Sequence, residues 1–347
     1  MNKSTGFEKK HIRGTLVLLI LIILLAVSAV LAIGIGSVTI SPGRVIEVLF
    51  RPVDLSNTDS VIVHNMRLCR VVASMFGGAA LALAGLLLQI LFNNPIADPY
   101  VLGISSGARL FVGLAVLGGV TFGLPTDNSW FLFVGGFIGS MAMMAIILAF
   151  AQKIKSVTTL LIVGMMLSYL CSAVVGILTS LSDNDAVADF TRWGMGSFSL
   201  MTWYNVRVLA VVCIVFFVLS FLLSKNLNLY LLGESYAKTM GVSTKLLRFL
   251  IILFSGVLTA VVTAFAGPVA FVGMSVPHMS RLLLKSEDSR ILIPTSLLLG
   301  AVFGVVCDLL ARTVAAPGEL AVGNITSCVG VPLVLFLLLR KNKSGRY

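Results

Sequence analysis

Apolar residues along this chain gather into long runs divided by short polar links. A run of about 20 apolar residues matches the hydrocarbon thickness of a bilayer, roughly 30 Å, when it is coiled as a helix. Ten windows follow: 14–36, 67–91, 99–120, 130–152, 157–181, 203–224, 245–266, 272–284, 290–314 and 321–340. They predict an all-α, polytopic membrane protein of about ten transmembrane helices. The window 272–284 is too short to cross fully, which predicts a half-helix or an oblique helix.

Polar residues punctuate these runs. In FNNPIADPY, Asp98-Pro99 predicts an N-cap followed by proline at the first helical position, so the next helix is expected from Pro99. Ser156 is expected to cap the helix over 157–181. Ser41-Pro42 opens PGRVIEVLF, an amphipathic stretch that predicts a small helix on the outer surface. Residues 225–248, KNLNLYLLGESYAKTMGVSTKLLR, break the membrane pattern and predict a short amphipathic helix from Leu232 to Met240, ended by Gly241. Two readings stand for it: a solvated linker, or a helix parallel to the membrane that receives force from a cytoplasmic partner. In AFAGPVAFVGMSVPHMSR, Gly267-Pro268 and Pro277 predict two helix breaks. Broken backbone at membrane depth is tolerated only where protein buries it or a cavity adjoins it.

Composition agrees. Of 347 residues, 58% are hydrophobic and 11% charged, with mean hydropathy +1.05. A soluble domain carries about 25% charged residues. One membrane domain, 1–347, is predicted, with a cytoplasmic tail over 1–13 and a cytoplasmic segment over 225–244. The first apolar run has the length of a span rather than of a signal peptide, so it is expected to be retained. The net charge of +11 is spread between apolar runs, which fits a positive-inside bias and not a nucleic-acid surface. With the N-terminus inside, seventeen of the 25 basic residues fall on the cytoplasmic side. Arg44, Arg51, Arg67, Arg70, Arg192, Arg207 and Arg312 fall outside, and Arg109 lies within the third window. Both termini are therefore expected in the cytoplasm, with the chain in a bacterial plasma (inner) membrane.

The candidate chemistry is sparse. There is no GxxxxGK[ST], so no phosphate-cradling loop, and the chain is not expected to be an enzyme. His11, His64 and His278 form no haem-ligating pair within a span. The five cysteines form no CxxC, predict no metal site and read as small buried hydrophobes. Asp308 alone among the acids lies deep in an apolar run. Arg312 is one turn on, so pairing is favoured over ion coupling. Small residues crowd one helix at Gly77, Gly78, Ala79, Ala80, Ala82, Ala84 and Gly85, which predicts burial among other helices. Arg67 and Arg70, at its start, read equally as headgroup anchors or as a docking point for an acidic partner.

Six blocks occur in a fixed order: RLCR, GAALALAGLLLQ, NNPIADPYVLGISSGA, LGESYAKTMGV, AFAGPVAFVGMSVPHMSRLL and DLLARTVAAPGELAVGNITSCVGVPLVLFLL. Over residues 40–340 the chain resembles the FecCD family, the permease subunits of ABC importers for iron-siderophores, haem and cobalamin. The resemblance implies a type II importer fold and a translocation path between two permease subunits, identical or homologous. It also implies two cytoplasmic ATPase subunits, which would hold the ATP and Mg, and an extracytoplasmic substrate-binding protein. No cofactor is implied on this chain itself. By the same resemblance Arg67, Arg70 and Arg312 are expected to dock the binding protein. Asn94, Ile96 and Thr158 are expected to narrow the cytoplasmic end of the path. Leu232, Gly233, Glu234, Ala237 and Gly241 are expected to seat on the ATPase. Cys69 and Ala321 stand where the family often has proline, which alters local stiffness. The implied cargo is a ferric siderophore, with haem or cobalamin as alternatives. An ion-coupled secondary carrier is the rival from another class.

Overall fold

The computed structural model describes residues 4–343 except 37, 39, 52, 55, 119–128, 155 and 317. Every regular element among the described residues is helical. In chain order these are α1 (Ser4–Gly34), α2 (Pro42–Leu49), α3 (Thr58–Phe92), α4 (Ile104–Val116), α5 (Ser129–Lys153), α6 (Val157–Leu181) and α7 (Asn184–Gly194). There follow α8 (Trp203–Leu222), α9 (Ser224–Leu231), α10 (Glu234–Thr239), α11 (Thr244–Ala266), α12 (Val272–Leu284), α13 (Ser289–Thr313) and α14 (Val322–Lys343). Each of the ten predicted windows holds a helix. Among the described residues, seven helices are long and apolar enough to cross a membrane: α1, α3, α5, α6, α8, α11 and α13. With 13 residues each, α4 and α12 reach only about 20 Å.

Burial separates centre from rim. The apolar stretches of α3, α11 and α13 are 83%, 72% and 67% buried, against 22% for α6 and α8. The first three form the centre of the bundle, and the others turn their apolar faces outward. Small residues make the close approach possible. A Cβ on Gly78 would stand 2.2 Å from the Gly300 carbonyl, and one on Gly85 would stand 1.9 Å from that of Gly273. The crowded face of α3 therefore lies backbone to backbone on α13 and α12.

Several boundaries differ from the sequence expectation, each for a local reason. α3 starts at Thr58 rather than near Arg67, because Asn57 accepts the Asp59 N–H at 3.0 Å and begins a helix through polar residues that hydropathy passes over. Ile62–Leu68 of that helix is π-wound. α4 starts at Ile104, not Pro99. Asp98 caps a turn instead, accepting the Tyr100 N–H at 2.8 Å, and turns continue to Gly103, whose φ is +81°. The insert over 225–244 holds two helices, α9 and α10, where one is predicted. Cys328 is exposed, whereas the other four cysteines are buried as expected.

Of the two predicted breaks, only Gly267-Pro268 interrupts the chain. Pro277 sits inside α12. Proline lacks the N–H that would meet the Gly273 carbonyl one turn earlier. Gln89 of α3 supplies the missing donor: its Nε2 reaches the carbonyls of Gly273 and Met274, both at 3.1 Å. Its Oε1 accepts from Arg281 Nη1. The helix survives its proline because a neighbouring amide satisfies it.

Candidate functional site

Four groups of residues stand out. The first gathers where α1 ends. Arg67 is buried, and its Nη1 donates to the carbonyls of Ile33 and Gly34, both at 3.0 Å; its Nη2 donates to that of Val38. Arg312 donates to the Ala32 carbonyl. The two guanidinium groups thus meet carbonyls that the end of α1 leaves without helical donors. Arg70 grips Asp308 with Nε at 2.9 and 3.0 Å and meets Glu319 through Nη1 at 2.8 Å. Arg312 Nε is 3.8 Å from Asp308. Asp308 therefore pairs chiefly with Arg70, from another helix, and only secondarily with the Arg312 that the sequence offers. All three arginines are less than a tenth exposed, so they are held inside the fold rather than presented at its surface.

The second group is the link from α3 to α4. Asn93 closes α3 in the left-handed conformation with φ +45°. Asn94 Oδ1 accepts the Ile96 N–H at 3.1 Å, and the Asn94 carbonyl accepts that of Ala97 at 3.2 Å. Ile96 projects outward while Ala97, Asp98 and Pro99 are buried. The Tyr100 hydroxyl accepts the Val269 N–H at 2.6 Å, which ties this link to the interrupted stretch 267–271. Thr158 is exposed in the first turn of α6, where Ser156 caps as predicted by accepting the Thr159 N–H at 3.2 Å. Among the described residues no hydrogen bond joins Thr158 to Asn94 or Ile96 within the chain.

The third group is the insert. Gly233 (φ +116°) and Gly241 (φ +84°) bracket α10, and both conformations strongly favour glycine. Ala237 is fully buried and seats the helix, whose Gly241 N–H closes onto the Lys238 carbonyl at 3.1 Å. Tyr236 and Met240, one turn apart, are 47% and 56% exposed, and Leu232, just before the Gly233 turn, is 67% exposed, so apolar side chains stand uncovered at both ends of α10. Glu234 meets Lys238 at 2.8 Å, Thr244 Oγ1 at 3.2 Å and Arg248 at 3.5 Å. The hydrogen bond from the Lys238 ammonium, more than any other contact, holds its carboxyl below the usual range against a partial desolvation. Asn228 of α9 donates to Asp288 at 2.7 Å and accepts the Ser289 N–H at 2.8 Å, which pins the insert to the start of α13.

The fourth is a cavity of about 510 Å³ that lies beside the interrupted stretch. Its polar lining comes from Tyr100, Ser105, Ser106, Arg109, Thr191, Asn324 and Ser327. Phe271, at the edge of the stretch, holds a left-handed φ of +67°, which is strained for a bulky side chain. The cavity draws on α4, α7, the interruption and α14, elements far apart in sequence, so no local pattern announces it. Gln89 and Asn228 were equally silent: each is a lone amide whose partners lie on other helices.

The sequence profile of the FecCD transport family matches residues 20–340. This chain belongs to the FecCD transport family. It is 35% identical to the hemin transport system permease protein HmuU of Yersinia pestis, over 96% of this chain and 98% of that one. It is 32% identical to the vitamin B12 import system permease protein BtuC of Klebsiella pneumoniae, over 94% of each chain. It also superposes, with TM-score 0.81 and 31% identity, on the inward-facing structure of a transporter assigned to the metal-chelate type of ABC transporters. That match covers 93% of this chain and 98% of the other. Family and helices together make this FecCD-family chain a multi-pass membrane protein.

Proposed function

We propose that this chain is the permease subunit of an ATP-driven ABC importer that works by alternating access. The observation that carries the reading is the insert. Apolar side chains of Leu232, Tyr236 and Met240 stand uncovered around the short helix α10, while Asn228 of α9 pins the insert to the bundle and Ala237 is buried. Such a surface suits a separate ATPase subunit, which would bind the ATP and Mg. The reading includes about ten crossings, both termini in the cytoplasm of a bacterial cell, and a path shared with a second permease copy. Asn94 and Ile96 would form the inner gate, since their link is braced through Tyr100 to the wall of the cavity; Thr158 would contribute from α6.

The substrate-binding protein would dock where α1 ends. Arg67 and Arg312 would act there by holding the rim in shape. Arg70 would act directly, because its partner Glu319 is 47% exposed at the side chain and is one that an incoming carboxylate can replace. We assign a ferric siderophore as cargo. Haem is the second reading, supported by the likeness to HmuU.

The test is uptake of radiolabelled ferric siderophores, haemin and cobalamin into proteoliposomes holding the complete complex of permease, ATPase and binding protein. Uptake that needs both ATP and the binding protein is expected. Uptake driven by an ion gradient without ATP, and abolished by Asp308→Asn, would overturn the reading in favour of a secondary carrier.

A further inference from the structure

Arg109 is an oddity on a helix that otherwise carries no charge. α4 reads ISSGARLFVGLAV, and its neighbours are membrane-type helices. An arginine among such helices is costly, and the cost is usually met by a counter-ion, by a water-filled cavity or by a ligand. No acid among the described residues pairs with Arg109; its guanidinium carbon lies 6.0 Å from the centroid of the Phe190 ring. The side chain is exposed, and it is the single charged residue lining the cavity of about 510 Å³. Ser106, Thr191 and Asn324 add hydroxyl and amide groups around it. A guanidinium that faced hydrocarbon would reach for headgroups. This one instead faces a cavity of the size that holds a small molecule.

We propose that Arg109 is the charge-reading residue of the cavity and that the cargo it admits is a metal chelate with net negative charge on carboxylate or catecholate oxygens. The inference rests on the importer reading and sharpens it. A planar guanidinium pairs with carboxylate and catecholate oxygens through two parallel N–H donors. The Phe190 face beneath it supports the cation without competing for those donors. Neutral chelates of similar size gain nothing from the arginine and leave it unpaired when they displace its water. The residue therefore selects by charge, through the charge-assisted hydrogen bonds that only an anionic chelate can accept from it.

The experiment uses the complete complex in proteoliposomes with four probes: ferric enterobactin and haemin as anions, ferrichrome and cyanocobalamin as neutral compounds. Wild type is expected to import at least one of the anions in preference to the neutral pair. Arg109→Gln should lower that uptake by at least about tenfold, the size expected for losing one charge-assisted hydrogen bond. Arg109→Lys should retain it within about threefold, because the charge remains. The ATPase rate and association with the binding protein should not move in either variant, since Arg109 belongs to neither surface. Preference of the wild type for a neutral probe, or full uptake of the anion by Arg109→Gln, would overturn the inference and leave the importer reading intact. Failure of the wild type to import any probe with ATP would overturn both.

Discussion

Two groups in this molecule use the same chemistry in opposite settings. At the end of α1, Arg70 and Arg312 flank Asp308, whose side chain is 1% exposed. In the insert, Lys238 and Arg248 flank Glu234, whose side chain is 37% exposed. The buried group cannot be taken apart cheaply, because each member left alone is an uncompensated charge in a low-dielectric interior. It fixes α3 to α13 through Arg70, and α1 to both through the carbonyls of Ala32, Ile33 and Gly34. The exposed group is screened by water and adds little. Two glycines and one buried alanine, not ions, give the insert its shape. One group is thereby locked and the other left adjustable.

Substitutions can break this contrast, and the largest effect belongs to the buried group. Asp308→Asn removes the charge that neutralises Arg70 and Arg312 and should cost about 3–5 kcal/mol. Thermal unfolding of the detergent-solubilised protein measures it, and a loss below about 1 kcal/mol would mean that water reaches the cluster. Next comes Ala237→Pro. The Ala237 N–H donates to the Gly233 carbonyl at 3.0 Å, and losing that bond while clashing with the preceding turn costs about 3 kcal/mol, confined to the insert. Hydrogen exchange should rise over 234–242 while the unfolding of the bundle barely shifts, and ATP hydrolysis should continue without uptake. Uptake at the wild-type rate would show that α10 does not carry the coupling.

The smallest effect is the exposed triad. Lys238→Ala should cost about 0.3–0.5 kcal/mol after solvent screening. The sign of its pH dependence follows from the lowered carboxyl of Glu234, caused first by the Lys238 hydrogen bond. A depressed value contributes stability above the unfolded carboxylate range, about pH 4.3, and loses it as pH falls through the folded value. Exchange protection of α10 should thus stay flat from pH 7 to about 5 and decline below. In Lys238→Ala that decline should be smaller, because less of the depression that causes it remains.

The same contrast explains what the sequence could disclose. Helix positions were readable because burial in a bilayer needs long apolar runs, and Gly267-Pro268 was readable because glycine and proline act locally. Asp98-Pro99 misled because the same two residues serve a helix start or a turn, and the brace from Tyr100 to Val269 decides for the turn. Arg70 and Asp308 are 238 residues apart, so their union depends on which helices meet. Arg312, one turn on, was readable as a partner of Asp308 and lies 3.8 Å from it, but nearness in the chain gave no sign of the closer partner, Arg70. In the insert, Gly241 was readable as a helix end because its role is local, while the break at Gly233 that divides the insert into two helices was not. The cavity was not readable at all, though Arg109, the oddity that marks it, was plain in the sequence.

The shortness of α12 bears on how the protein is made. At about 20 Å it spans too little of the hydrocarbon to partition into lipid on its own, and its Pro277 leaves the Gly273 carbonyl bare until Gln89 arrives. Gln89 belongs to α3, which leaves the ribosome some 190 residues earlier. The donor that the Gly273 carbonyl needs is thus already in the chain when α12 is made.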